Sequence, residues 1–382
     1  MASLPTVEDL TVDPHPHLAR LRAMSPIVWV PALDAWIVTG RDLAIDVMRD
    51  DARFTVDDPR FSTGRVVGPS MLSTDGQTHA RHRKAFAAAF RPAMTRERLG
   101  ETVNEIAKRC VGDVRSAPVV DLRATVAGPV AADVAIEALG LVGTDPGEVL
   151  AWYRAIVDSV SELSVDLDAV ADPRLMDGVR AAVARTVAVP GTALTATRAA
   201  AADLTDAEFA SNVAIVMFGA LETSEALIAN LLREVVASPP FHARLATDST
   251  MRDRSVEESL RIEPGASFVD RYVLGDTNVD GVALADGDHV IVSLAAANRD
   301  PAAYREPDEF RLDRSGEPPN LAFATGPHVC LGAHLARMEA KAVLDAWFEL
   351  EISVKPAAAG FDTPSGLVFR KPERLMVENL PA

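Results

Sequence analysis

The chain has 382 residues, 48% hydrophobic and 24% charged, which is ordinary globular usage and excludes a disordered, collagen-like or membrane-spanning chain. A formal charge of −17 repels nucleic acid and anionic lipid surfaces, so neither nucleic acid nor membrane is expected as a partner. The two cysteines, Cys110 and Cys330, are too few for a disulfide framework or a four-cysteine metal site, and a reducing cytoplasm suits them.

Residues 1–30 lack a basic start followed by an apolar stretch, so no targeting segment or anchor is expected. Ile27–Val30 and Ala35–Val38 are short β-prone runs separated by Pro31-Ala32-Leu33-Asp34, which predicts a hairpin. Helical spacing follows from 41 to about 50 and from 78 to about 90, with a long polar loop over 55–76 between them. Residues 96–160 and the Ala-rich 180–202 also read as helices, broken near Pro190-Gly191.

Thr205-Asp206-Ala207-Glu208 is a capping box, because the threonine hydroxyl and the glutamate three residues on can satisfy each other's backbone N–H groups. It predicts a helix from 206 to about 238, where Pro239-Pro240 stops it, a length of roughly 50 Å. A shorter helix ends near Arg261, before Pro264. Then come β-like pieces at 267–274, 279–284 and 289–293, a clear helix from 331 to about 350, and β-like 351–354 and 367–377. With no repeat or flexible linker to mark a boundary, residues 1–382 read as a single domain, mainly α with a small β region (α+β).

The most specific stretch is Phe323-Ala324-Thr325-Gly326-Pro327-His328-Val329-Cys330-Leu331-Gly332, just before the last long helix. A helix N-terminus favours a thiolate, and flanking glycines let backbone N–H groups approach the sulfur, so Cys330 is a candidate metal ligand. A lone cysteine is otherwise a small buried hydrophobe. A zinc site from His328, Cys330 and His334 lacks a fourth ligand, and a cysteine hydrolase lacks a paired base.

The spaced set Phe323, Gly326, His328, Cys330 and Gly332 resembles the haem-binding loop of the cytochrome P450 superfamily, the thiolate-haem monooxygenases. Other motifs of that family follow in order along the chain. Glu258 and Arg261 resemble its Glu-x-x-Arg pair, with a partner expected in 307–314. His79 and Arg83, one helix turn apart, match the family's propionate-binding His-x-x-x-Arg, and the resemblance adds Arg271 and His328 as further propionate contacts. Gly219-Ala220-Leu221-Glu222-Thr223-Ser224 is similar to its oxygen-activation motif, an acid followed by threonine within a locally widened turn. Ala220, Ser224 and Ala324 depart from the residues common there, the family more often having glycine, threonine and glycine.

The resemblance implies the cytochrome P450 fold, a triangular, helix-rich single domain with haem between the long central helix and the cysteine-ligand helix. Haem b would be held through iron by the Cys330 thiolate, with Gly219 beside it and protons passed by Glu222 and Thr223. The expected activity is insertion of one oxygen atom from O2 into a small, largely hydrophobic substrate, as in secondary-metabolite tailoring. Oxidative coupling, peroxide-driven oxidation and non-catalytic haem or lipophile binding are the other readings. Family analogy places substrate against Val66, Val67, Leu72, Val216, Phe268, Val269, Leu367 and Val368. No nucleotide-binding turn or iron–sulfur cysteine set is visible, so electrons are expected from a separate ferredoxin and ferredoxin reductase, the chain acting as a monomer. Residues 79–98 hold six basic residues against one glutamate, a patch suited partly to propionates and partly to an acidic ferredoxin, although Arg81, His82 and Lys84 also read as a solvated basic face.

Overall fold

The computed structural model describes residues 3–165 and 169–380. The helices in chain order are α1 (Val7–Val12), α2 (His15–Met24), α3 (Arg41–Arg49), α4 (Ser62–Val67), α5 (Gly76–Ala89), α6 (Pro92–Gly112), α7 (Gly128–Leu139) and α8 (Pro146–Val165). They continue with α9 (Asp177–Val187), α10 (Ala193–Ala200), α11 (Asp206–Ala237), α12 (Pro239–Thr247), α13 (Thr250–Ile262), α14 (Leu294–Ala297) and α15 (Ala333–Glu349). The strands are β1 (Ile27–Val30), β2 (Ala35–Val38), β3 (Phe54–Thr55), β4 (Val119–Asp121), β5 (Phe268–Val273), β6 (Thr277–Val279), β7 (Val282–Leu284), β8 (His289–Ser293), β9 (Val354–Phe361) and β10 (Leu375–Asn379). The fold is mainly helical with small sheets, and its residues group into two compact units.

The first unit comprises residues 1–54, 104–130 and 223–382. Its main sheet runs β1-β2-β8-β5-β3. β1 and β2 form the expected hairpin, with Trp29 opposite Trp36 and an Asp34 in the left-handed region closing the turn. β2 pairs parallel with β8, and β8 antiparallel with β5. Strand alternation splits the core: Ile37, Phe268 and Ile291 pack with Leu10, Leu18 and Leu21, while Val38, Val290 and Val292 pack with Ala44, Val47 and Met48. A second sheet runs β4-β10-β9.

The second unit comprises residues 55–103 and 131–222. In it α4 packs on α8, and Arg65 of α4 donates to the carbonyls of Leu163 (3.0 Å) and Ala169 (2.7 Å). The start of α11 bears the capping box anticipated from sequence: Glu208 N–H donates to Thr205 Oγ1 at 3.2 Å and Thr205 N–H to Glu208 Oε2 at 2.8 Å. By length and composition α11 suffices to cross a bilayer, yet 67% of its most apolar window is buried inside the protein.

Four stretches differ from the sequence expectation. The β-like 351–354 enters a strand only at Val354, where β9 begins. The loop 55–76 contains helix α4. The β-like run 279–284 is two strands, β6 and β7, because Asp280 (φ 50°) and Gly281 (φ 84°) both take left-handed backbone and turn the chain back on itself. The run 367–377 enters the second sheet only at Leu375; upstream it makes isolated pairings of Phe369 with Ala266 and Lys371 with Ser365.

Candidate active site

The Cys330 loop is fixed from several sides. Cys330 N–H donates to the Phe323 carbonyl at 3.0 Å and Val329 N–H to the Gly326 carbonyl at 3.2 Å, folding the segment into a tight hairpin. Gly326 has φ 78°, and a Cβ there would fall on the Met48 carbonyl oxygen, so only glycine lets the loop lie against the end of α3. Phe323 lies under the Arg337 guanidinium, 4.5 Å from ring centroid to carbon, and Arg337 is held by Glu257 at 2.5 Å. Asn320 Nδ2 also donates to Glu257 (3.0 Å), and Leu321 N–H donates to Asn298 Oδ1 (2.6 Å). The result is an exposed thiol two residues ahead of Gly332, the N-cap of α15. Ala324, where the family resemblance leads one to expect glycine, adopts φ 56°.

Behind this loop the Glu258–Arg261 pair is fully engaged. Arg261 spends all five N–H donors: two on Glu258 (2.9 and 2.7 Å) and three on the carbonyls of Asn298 (2.9 Å), Pro307 (2.6 Å) and Glu309 (2.9 Å). Glu258 further accepts from Arg314 Nε (2.8 Å) and Arg311 N–H (2.8 Å). Thus α13 is tied to the 307–314 segment through a buried, hydrogen-bond-saturated ion cluster.

Along α11 most residues are buried from Phe209 to Leu232, but Val216, Gly219, Ala220, Glu222, Thr223 and Glu225 keep solvent access. Positions 216, 219, 220 and 223 form one stripe on the helix face. The helix is regular α through this stretch, without the widened turn the motif suggests. Gly265 backs directly onto it: a Cβ there would sit 2.9 Å from the Thr223 carbonyl oxygen and 3.3 Å from the Ala226 Cβ. Ser224 hydrogen-bonds Glu339 of α15, which is only 2% exposed. Burial raises the Glu339 carboxyl to about 8, the Ser224 bond opposing the rise. Its Oε2 has no hydrogen-bond partner.

His79 and Arg83 stand one turn apart on α5, His79 buried and Arg83 half-buried. Arg271 is buried on β5, and His328 is half-buried in the Cys330 loop. Of Arg81 and His82, which read from sequence as a solvated basic face, His82 turns inward instead, while Arg81 stays partly exposed in an ion pair. Arg81 pairs with Glu208 at 2.5 Å, and His82 is 0% exposed; the acidic partner lies 127 residues away, beyond any local pattern. Of the substrate-contact set, Val66, Val67 and Phe268 are buried, Leu72, Val216, Val269 and Leu367 half-buried, and Val368 exposed. Phe268 packs in the Leu10–Leu18–Ile37 core, with Leu367 against it.

Sequence patterns gave no sign of Gly265, Glu339 or the cluster around Glu263. In that cluster Glu263 pairs with Arg370 (2.7 Å) and His15 (2.9 Å), and Arg370 also donates to the carbonyls of Thr11, Gly366 and Pro364. Burial alone would raise Glu263, but the His15 bond and the charges of His15, Arg370 and Arg299 outweigh it and hold the carboxyl low.

An accessible thiol at the positive end of a 17-residue helix, on a glycine-dependent loop pressed to the neighbouring backbone, suits a thiolate ligand to a flat cofactor. In the first unit Arg271 and His328, and in the second His79 and Arg83, are donors of the kind that anionic cofactor substituents require. These features define a thiolate-haem protein. A profile of the cytochrome P450 family matches residues 191–371. The chain is 33% identical to the cytochrome P450 monooxygenase PikC of Streptomyces venezuelae, over 91% of this chain and 87% of that one. It is 29% identical to nocardicin C N-oxygenase of Nocardia uniformis, over 98% of each. Among solved structures, CalO2 superposes with a TM-score of 0.86 at 25% identity, covering 97% of this chain and 96% of the other. The chain belongs to the cytochrome P450 family of monooxygenases, oxidoreductases whose cofactor is a thiolate-ligated haem.

Proposed function

We propose that residues 1–382, acting as one catalytic domain, insert one oxygen atom from O2 into a small, largely hydrophobic molecule by hydroxylation or epoxidation, in the tailoring of a secondary metabolite. The observation that carries the reading is the exposed Cys330 thiol on its pinned loop, joined in one chain with Thr223 on the accessible stripe of α11 and the solvent-accessible Glu222 next to it. Relatives that tailor small natural products, PikC and nocardicin C N-oxygenase, support the substrate class.

In this reading Cys330 would ligate the iron of haem b, Phe323, Gly326 and Gly332 would shape the loop around the sulfur, and His79, Arg83, Arg271 and His328 would hold the propionates. When bound, the haem supplies dioxygen binding and reductive activation at iron, with thiolate donation favouring O–O cleavage. Glu222 takes a proton from solvent, and Thr223 Oγ1 hands it toward the oxygen site. Gly219 and Val216 keep that helix face low, and Gly265 lets the chain after α13 lie close to Thr223. Val66, Val67, Leu72, Phe268, Val269, Leu367 and Val368 supply apolar surface that excludes water from the substrate.

Electrons come from a separate ferredoxin and its reductase. The basic segment 79–98 serves that contact through Lys84, Arg91 and Arg96, which are exposed. Arg81 is committed to Glu208, and Arg98 donates to the Ala138 carbonyl.

Thr223→Ala tests the reading. With a surrogate ferredoxin pair and a lipophilic probe chosen for its spectral shift on binding, haem content and CO binding stay at wild-type levels while product formed per reductant consumed falls at least tenfold. Unchanged coupling would remove Thr223 from the proton path.

A further inference from the structure

A polar cluster in the second unit is used by no step above. Asn212 and His82 are both 0% exposed. Asn212 Oδ1 accepts the Met71 N–H at 2.8 Å, while Nδ2 donates to the Glu208 carbonyl at 2.7 Å and to His82 Nδ1 at 2.8 Å. Beside it, Ser211 Oγ lies 2.5 Å from the Val67 carbonyl and 3.0 Å from that of Ala207. Two adjacent residues of α11 therefore grip both ends of the 67–71 segment. Between those ends the chain turns at Gly68, with φ 88°, where a Cβ would stand 3.2 Å from Ser211 Oγ. The rest of the turn bonds to itself, Thr74 Oγ1 donating to the Ser70 carbonyl (2.7 Å) and Leu72 N–H to Ser70 Oγ (3.2 Å).

Donor counting fixes the protonation of this cluster. Only an oxygen can face the Met71 N–H, so Nδ2 faces His82, and His82 Nδ1 must be an acceptor. The ring proton is then on Nε2, toward Glu208 Oε1 at 3.4 Å. The charged groups facing the ring are Arg81 on its own helix, with Nη2 at 3.3 Å, and Glu208 on α11. Residues 68–74 carry no ionisable side chain, and Arg198 of α10 is occupied by Asp206 (2.9 Å). Burial, then the Arg81 charge, holds the imidazole below its ordinary range, Glu208 opposing them, so His82 is neutral at pH 7. A proton added at Nδ1 sets two donors against each other. Relief requires the Asn212 amide to turn over, which points Nδ2 at the Met71 N–H and breaks that bond.

We propose that Asn212 is a positioning residue that fixes the segment from Val67 to Leu72 against α11, and that protonation of His82 releases it, so that ligand access opens in acid. The access half rests on the reading of Val66, Val67 and Leu72 as substrate-facing.

The test uses the haem-loaded full chain. Hydrogen-exchange protection of a peptide covering 66–74 is measured in half-unit steps from pH 7 to pH 4.5 beside the association rate of CO with the reduced protein. Asn212→Ala should lower protection at least tenfold at pH 7 and speed CO association several-fold. In wild type the same changes should appear on acidification, at a lower pH than that at which an ordinary imidazole charges. His82→Gln, whose amide oxygen still accepts from Asn212 and which cannot charge, should keep wild-type protection at pH 7 and lose the pH step. Wild-type protection in Asn212→Ala, or a pH step that survives His82→Gln, overturns the positioning role. Lost protection with unchanged CO association overturns the access half, and with it the substrate-facing reading of the loop. Should Asn212→Ala not fold, the wild-type and His82→Gln comparison decides alone.

Discussion

Glu339→Gln should make the protein more stable, and the gain should grow with pH. The carboxyl is buried against Ser224, ordinarily ionises near 4.5, and in the folded chain does so only at about 8. Between those values the folded state keeps a proton that the unfolded chain has released, so stability falls as pH rises. The stabilising contribution of the neutral acid is fully present below about 4.5, declines by about 1.4 kcal/mol per pH unit, and is gone above about 8. Across that window the loss is on the order of 5 kcal/mol, about 70% of it incurred by pH 7. Glutamine fills the same volume, bonds Ser224 and never charges. Urea unfolding of both proteins at half-unit steps from pH 5 to 9 should give curves that nearly coincide at pH 5 and diverge steadily up to pH 8. Parallel curves, or a variant that loses stability throughout, would refute the assignment of Glu339 as a buried neutral acid.

Ala324→Gly should raise stability by about 0.5–1 kcal/mol, because relief of a left-handed alanine outweighs the freedom glycine gains in the unfolded chain; a lower melting temperature would contradict this. Gly326→Ala should do the reverse, costing about 2 kcal/mol and at least halving the haem-to-protein ratio, since its Cβ meets the Met48 carbonyl. Arg261→Lys should cost about 3–5 kcal/mol, because three donors cannot replace five and Glu258 stays buried. Arg314→Ala should cost less, since Glu258 keeps Arg261; equal urea midpoints for the two variants would argue against the cluster as described.

Where a signal was local, the sequence carried it. The Thr205–Glu208 box and Pro239 bracket α11 within one residue of its expected end, and the 27–38 hairpin forms at the expected positions. The 279–284 stretch reads as one β-like piece because Val279, Val282 and Leu284 are apolar, whereas the Asp280-Gly281 turn between them decides the geometry. What stayed hidden depends on partners distant in sequence. His82 turns inward because Asn212 receives it, Arg81 is held by Glu208, and Glu263 is buried because His15 and Arg370 converge on it from opposite ends of the chain. Glu339 carries no local signal of burial, which comes from packing against Ser224 of a distant helix.

The central claim, that Cys330 is the thiolate ligand of a haem, is tested most directly by the absorption spectrum of the purified, dithionite-reduced protein under carbon monoxide, beside Cys330→Ala. A strongly red-shifted Soret band in wild type that disappears in the variant is the expected result. A folded protein, expressed with ample haem, that shows no such band or shows it equally in Cys330→Ala would contradict the account.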